Sequence, residues 1–272
     1  MTARDPRAEP TLLPRDAQAL AFIGRGKEVA QYQLRAAIFP GRTEVVASRR
    51  VSRWTEQGLV VADRLHGFGM NRLRLTEKGR DALVAAKVAP EEELFVPAKA
   101  VALKDLAHHL WINDLRVLAA EGVPFAADRI VPAWVIERTV TPRPPAIPDL
   151  LLVQRPKGGG RGRMLALEVD MGGERIVATL LPKLKLLAGL LLSWAGVEMR
   201  PGVLVLTRGP KRLASLRASL ADADLAVPVA ADLLPSAAGG EALGCLRQLL
   251  RPPVQTSSQG EREEVVGHET VV

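Results

Sequence analysis

The spacing of apolar residues falls from a helical period to a period of two and back again within the N-terminal third of the chain, and that pattern limits the fold more than any other feature. From Pro14, Ala17, Leu20, Ala21 and Ile23 recur at helical spacing until Gly26 ends the stripe. Proline suits a helix start because its missing N–H has no helical partner there. A second short helix is predicted over Ala30–Phe39, and Pro40-Gly41 forms a turn. Thr43 is the N-cap candidate for a third helix reaching Gln57 and closed by Gly58. The period then falls to two. Leu59-Val60-Val61 and Leu73-Arg74-Leu75 read as strands around a hairpin tip containing Gly67 and Gly69, and Thr76–Gly79 opens a helix to about Lys87. Three helices, a hairpin and a closing helix predict a winged helix-turn-helix over residues 12–88.

Such a fold reads duplex DNA when the helix face opposite its core carries cations and hydrogen-bonding groups. In the third helix, Val46, Val51 and Trp54 are placed inward, while Arg49 and Arg53 lie four apart on the exposed side. Arg50 flanks them, and Arg42 and Thr43 stand at the helix entrance. The wing adds Arg64, His66, Arg72 and Arg74, positioned for phosphate or minor-groove contact. The formal net charge of +7 and a pI near 10.0 agree with an anionic partner, here double-stranded DNA. A protein-interaction module with the arginines as a solvated face is the alternative.

A polar connector over residues 89–101, with Pro90-Glu91-Glu92-Glu93 and Pro97, separates this part from residues 102–250. There the pattern predicts a helix (Leu103–Glu121) and strands over Ala133–Arg138, Asp149–Gln154 and Met164–Asp170. A helix (Glu174–Trp194), a strand (Val203–Thr207), a helix (Lys211–Ala221) and a short strand near Val227 follow. This order defines an α/β layer on a small central sheet, and with the N-terminal part an α+β chain. Residues 251–272 are polar and aperiodic and are expected to be disordered.

Alternation in Met164–Asp170 puts Glu168 and Asp170 on one strand face. Asp149 stands at the start of the preceding strand, and a hairpin through residues 155–163 would bring it opposite that end. Three converging carboxylates repel one another unless a cation sits among them, and oxygen ligands of this kind suit Mg²⁺ or Mn²⁺. Asp149, Glu168 and Asp170 are therefore the candidate metal ligands. Pro148-Asp149 followed by Glu168-x-Asp170 resembles the core of PD-(D/E)XK nucleases, a restriction-endonuclease-like fold. Over about residues 12–210 the chain also resembles the replication-relaxation family. The matching stretches are PRDAQAL, LRAAIFP, HHLWINDLR (108–116), Trp134 with Glu137, Pro148-Asp149, LEVD (167–170) and Lys183-Leu184. The resemblance implies plasmid or mobile-element replication or DNA relaxation, and a metal-dependent endonuclease or nickase site made of Asp149, Glu168, Asp170 and Lys183. Asp170 occupies the position where these nucleases usually carry lysine, so Lys183, or Lys185 beside it, would supply that cation from the next helix. Pro182 just before it is expected to start or kink that helix. A non-catalytic regulator whose degenerate nuclease-like part mediates dimerisation or a partner contact is the competing expectation.

Other signals carry less. His109, Asn113 and Arg116 form a polar stripe at helical spacing beside His108, read first as a solvated or sheet-edge face and second as a phosphate contact. Glu137 is an additional carboxylate or an ordinary charge at a strand end. Gly158–Gly160 with Lys157, Arg161 and Arg163 forms a basic hairpin tip, since no helix follows it as a phosphate cradle requires. Ser193 and Ser215 lack a nucleophile elbow. A single cysteine, Cys245, excludes an internal disulfide and a cysteine-based zinc site. The start MTARDPRAEP has no apolar leader, and the apolar stretch Leu186–Trp194 is shorter than the roughly 20 residues a bilayer span needs. A cytoplasmic protein with no membrane partner, able to form a homodimer, is expected.

Overall fold

A computed structural model describes residues 12–65, 70–156, 158, 160–235 and 240–250 of the chain. It is a mixed α+β structure with two sheets. The N-terminal part runs α1 (Pro14–Arg25), β1 (Val29–Ala30), α2 (Gln31–Ile38), α3 (Glu44–Glu56), β2 (Val60–Leu65), β3 (Met70–Leu75) and α4 (Glu77–Ala85). Asp16 in the first turn of α1 and Arg25 in the last complement the helix dipole. Thr76 Oγ1 caps α4 by accepting the Gly79 N–H at 3.0 Å. Gly79 is needed for close approach, because a Cβ there would lie 2.3 Å from the Leu59 carbonyl oxygen.

β3 lies between β1 and β2, both antiparallel to it. Leu20, Ile23, Leu34, Val51, Trp54, Leu59, Leu73 and Leu83 make one buried core around this small sheet. Ala47, rather than Val46, joins Val51 and Trp54 on the inner face of α3, and Val46 is 38% exposed. His66, Gly67 and Gly69 at the predicted wing tip lie outside the described residues.

After a 3₁₀ turn at Glu91–Glu93 come α5 (Leu103–Ala120), β4 (Arg129–Pro132), α6 (Ala133–Thr139), β5 (Leu150–Gln154) and β6 (Gly162–Asp170). A π-helical turn (Ile176–Leu180), α7 (Leu181–Ala195), β7 (Met199–Thr207), α8 (Pro210–Ala221), β8 (Val229–Leu233) and α9 (Gly240–Leu250) complete the described chain. The strand order is β4-β5-β6-β7-β8, antiparallel for the first two pairs and parallel for the last two. One face of this sheet packs on α7 through Ala166, Leu184, Leu187, Leu191 and Val205. The other packs on α5 and α9 through Leu115, Leu118, Leu152, Leu167 and Leu246.

The predicted strand over Ala133–Arg138 is instead helix α6. Its β-branched and aromatic residues suit a strand, but Trp134, Val135 and Ile136 are buried there in helical conformation. Trp134 packs edge-on to Phe95 at 5.5 Å and donates to the Arg25 carbonyl at 3.3 Å. Packing against the N-terminal part therefore overrides local preference, and the first strand, β4, lies just upstream. The predicted strand near Val227 begins at Val229, and α9 is a helix that the sequence pattern does not announce.

The predicted helix Glu174–Trp194 forms as a π turn followed by α7. Pro182 sits in the first turn of α7, where it starts the helix and has no N–H to give four residues back. Together Ile176–Ala195 make 20 residues of mean hydropathy 1.7, by length and composition enough to cross a bilayer. Their Leu184, Leu187, Ala188 and Leu191 are buried against the sheet. Lys157 and Gly159 of the basic hairpin, and residues 251–272, lie outside the described residues.

Candidate functional site

β5 and β6 pair with Leu150 opposite Leu167, so one further step sets Asp149 opposite Glu168 at the sheet end. Asp149 Oδ2 accepts the Val169 N–H at 2.8 Å and lies 3.1 Å from His108 Nε2 on α5. Lys183, in the first turn of α7, donates to Glu168 Oε2 at 2.8 Å. Four side chains from α5, the β5 entrance, β6 and α7 thus converge.

Glu168 is 3% exposed, and its Oε1 is buried with no hydrogen-bond donor. An ionised carboxylate short of donors is costly in low dielectric. Burial first, then the neighbouring Asp149 charge, push the Glu168 carboxyl well above the usual range, against the pull of Lys183. Burial works against the Lys183 ammonium, but Glu168 and Asp149 outweigh it and hold the lysine above its ordinary value. His108 shows the same balance: burial lowers its pKa, and the hydrogen bond and charge of Asp149 raise it further. His109 next door is pushed down to about 4 by burial and then by Lys27.

Asp170 does not join this group. Thr207 Oγ1 donates to its Oδ2 at 2.6 Å, and the Gly172 N–H and Arg212 Nη2 donate to its Oδ1 at 2.9 Å. Arg212 Nε makes a further short bond to Oδ2. Burial raises its pKa, but these donors outweigh that and hold it below the usual range. The expected third metal ligand is therefore an internal ion-pair partner of α8. Among the described residues no group of three or more His, Cys, Asp or Glu side chains is disposed to hold a metal ion. The fit rests on two carboxylates, one with a free buried oxygen. That suits a hard cation such as Mg²⁺, which binds through one or two carboxylates and keeps several waters.

The N-terminal arginines divide in the same way. Arg42, Thr43, Arg49, Arg53 and Arg64 are exposed. Arg50 is turned back to Asp16, a buried acid on α1, at 3.2 Å. Arg72 pairs with Glu28 and Asp63 at 3.5 Å each and donates to the Val101 carbonyl at 3.2 Å. Arg74 pairs with Asp63 at 2.7 Å. Arg50 is thus tied to α1, and Arg72 and Arg74 are tied to Asp63 and Glu28, so all three are engaged within the protein. Val45, Ser48 and Ser52 line a shallow groove on α3 with Arg49 and Arg53 and with two acids, Glu44 and Glu56, and carry no charge that would mark them in the sequence.

Of the polar stripe on α5, His109 is half-buried beside His108, whereas Asn113 and Arg116 are neither solvated nor at the carboxylate site. Asn113 Nδ2 donates to the Glu28 carbonyl at 2.6 Å, Arg116 Nη2 to the Phe22 carbonyl at 3.2 Å, and both residues are buried. Beside them Asp114 accepts from Tyr32 Oη at 2.9 Å and from Gln33 Nε2 at 2.7 Å, and burial pushes its carboxyl up to about 7. Glu137 pairs with Arg143 at 2.8 Å on the surface. The arrangement defines an α+β protein with a buried carboxylate–lysine cluster at a sheet end and an exposed cationic helix elsewhere. No family model, no curated protein and no solved structure matches the chain significantly.

Proposed function

We propose that this chain is a DNA-binding protein of plasmid or mobile-element replication or relaxation. In this reading an N-terminal winged helix docks on double-stranded DNA, and a nuclease-like C-terminal part carries a metal-dependent endonuclease or nickase site. The observation that carries it is the Lys183–Glu168 contact at 2.8 Å beside Asp149, with Glu168 Oε1 buried and without a donor. The sheet supports it. The described order is a helix, a strand, the short helix α6, two strands, a helix and a parallel fourth strand, with an acid entering the second strand and another on the third. Apart from α6 it follows the order that the PD-(D/E)XK resemblance implies. Lys183 stands on the helix to which that resemblance moves the lysine.

Asp149 and Glu168 would hold Mg²⁺ or Mn²⁺, which supplies an activated water and neutralises charge on a phosphodiester. Lys183 keeps Glu168 oriented and places a cation where phosphate charge develops. His108 fixes the Asp149 carboxylate. Arg42, Thr43, Arg49, Arg53 and Arg64 would hold the duplex through its phosphates, while Arg50 and Arg72 keep the reading head rigid.

The test is incubation of supercoiled plasmid with the purified chain and Mg²⁺ or Mn²⁺, beside the Glu168→Ala variant. Nicking by the wild type and none by the variant is expected. A second reading, a non-catalytic DNA-binding regulator, is favoured by Asp170, which stands at the usual lysine position and is consumed by Arg212. Intact supercoiled, linear, single-stranded and branched DNA after incubation with the wild type would decide for that reading.

A further inference from the structure

Between the N-terminal helices and the edge strand β4 lies a cavity of about 530 Å³. Small-molecule sites run about 300–1,000 Å³ and favour such boundaries. Its walls include Phe22, Ile38, Val88, Val131 and Val135, and three arginines are among the lining residues, Arg25, Arg116 and Arg129. Two of these cations share an acid: Glu93 lies 2.7 Å from Arg25 and 4.0 Å from Arg129. Asp128, another acid on the wall, accepts the Arg155 backbone N–H at 2.7 Å.

Arg116 is different. It is 4% exposed, and its partners are the Asn113 amide oxygen at 2.6 Å, the Phe22 carbonyl at 3.2 Å and the Phe22 ring at 4.7 Å. All of them are neutral, and among the described residues no carboxylate pairs with it. Burial, and then the charge of Arg25, push its pKa down to about 9. A buried cation with no counter-charge is kept where something repays its lost hydration. A mostly apolar cavity with one uncompensated guanidinium selects a ligand with both properties.

We infer that this cavity binds a small amphipathic monoanion, a carboxylate carried on a hydrocarbon body. The carboxylate sits against Arg116 and the body lies along Phe22, Ile38 and Val131. Because the walls come from both parts of the chain, occupancy tightens their packing and raises thermal stability. The inference is independent of the nuclease reading, since none of these residues belongs to the carboxylate–lysine cluster.

Octanoate and octanol are the probes, titrated into the full chain by calorimetry and followed by thermal melting. Octanoate is expected to bind saturably and raise Tm, and octanol, of the same length but uncharged, to do neither at the same concentration. Arg116→Gln is expected to weaken octanoate about tenfold or more, the scale of removing a charge-assisted hydrogen bond. That variant also removes bonds to Asn113 and Phe22, so Ala120→Trp accompanies it. Ala120 lines the cavity and is exposed at the end of α5, so an indole there closes the space and leaves the core intact. Loss of octanoate binding with an unchanged ligand-free Tm is the expected result. Octanoate that fails to saturate, octanol that binds equally well, or undiminished binding by Ala120→Trp would overturn the inference.

Discussion

On the α7 side of β6, Glu168 shares its burial with Asp149 and Lys183 and leaves one oxygen without a donor. On the α8 side, two residues along the same strand face, Asp170 receives Arg212, Thr207 and the Gly172 N–H, and both its oxygens are engaged. The strand supplies the same chemistry to both places, and the neighbours give it opposite character. A carboxylate with too few donors is driven toward its neutral form and is receptive to a cation. One with a full set is a permanent anion that pins a helix to a sheet. Shared orientation on a strand therefore does not make two acids members of one site.

The contrast is tested most forcefully at Asp170. Asp170→Ala leaves the Arg212 guanidinium without its acid and should cost about 3 kcal/mol in denaturant unfolding, the scale of a broken internal ion pair. Metal affinity measured by calorimetry should stay as it was. A loss of metal binding in a variant that remains folded would put Asp170 back among the ligands.

Glu168→Gln probes the other acid. The folded-state pKa of Glu168 is raised, so the native chain holds this proton more tightly than the unfolded chain does. Its contribution to stability is full below the ordinary glutamate range and is lost as pH rises toward the elevated value. In metal-free buffer the wild type should lose stability relative to Glu168→Gln over that window, by at most about 1.4 kcal/mol per pH unit. Parallel pH curves for the two proteins would show that Glu168 is not perturbed.

The smallest expected stability effects lie in the N-terminal part, where cations divide as the acids do. Arg50→Ala should cost about 1 kcal/mol by freeing the buried Asp16, with little change in the salt dependence of duplex binding. Arg49→Ala with Arg53→Ala should leave stability within about 0.5 kcal/mol. It should also lower the slope of log affinity against log salt by about 0.9 for each phosphate that these side chains no longer neutralise. Equal slopes for both variants would remove the distinction between exposed and paired arginines.

Local patterns reveal most of this architecture. Period and punctuation alone locate α1 to α4, and alternation in Met164–Asp170 places Glu168 facing away from Leu167. The hairpin-sized gap brings Asp149 beside it. Partnerships across long separations are not legible. Arg212 is 42 residues from Asp170, Asp16 is 34 from Arg50, and Glu28 is 44 from Arg72. Each pair exists because of a register or crossing that no local window contains. The mistaken strand at Ala133–Arg138 has a related cause. Its residues favour a strand when counted alone, and become helical because Trp134 reaches Phe95 and the Arg25 carbonyl.

α5 touches both halves of the molecule along one continuous rod. Near its start His108 lies against Asp149, and five and six residues on, about 8–9 Å along the axis, Asn113 and Asp114 are bonded to the Glu28 carbonyl and to side chains of α2. A stiff shaft fixed at both stations cannot turn at one without turning at the other. A displacement of the N-terminal helices that carries α5 with it therefore also moves the imidazole beside Asp149.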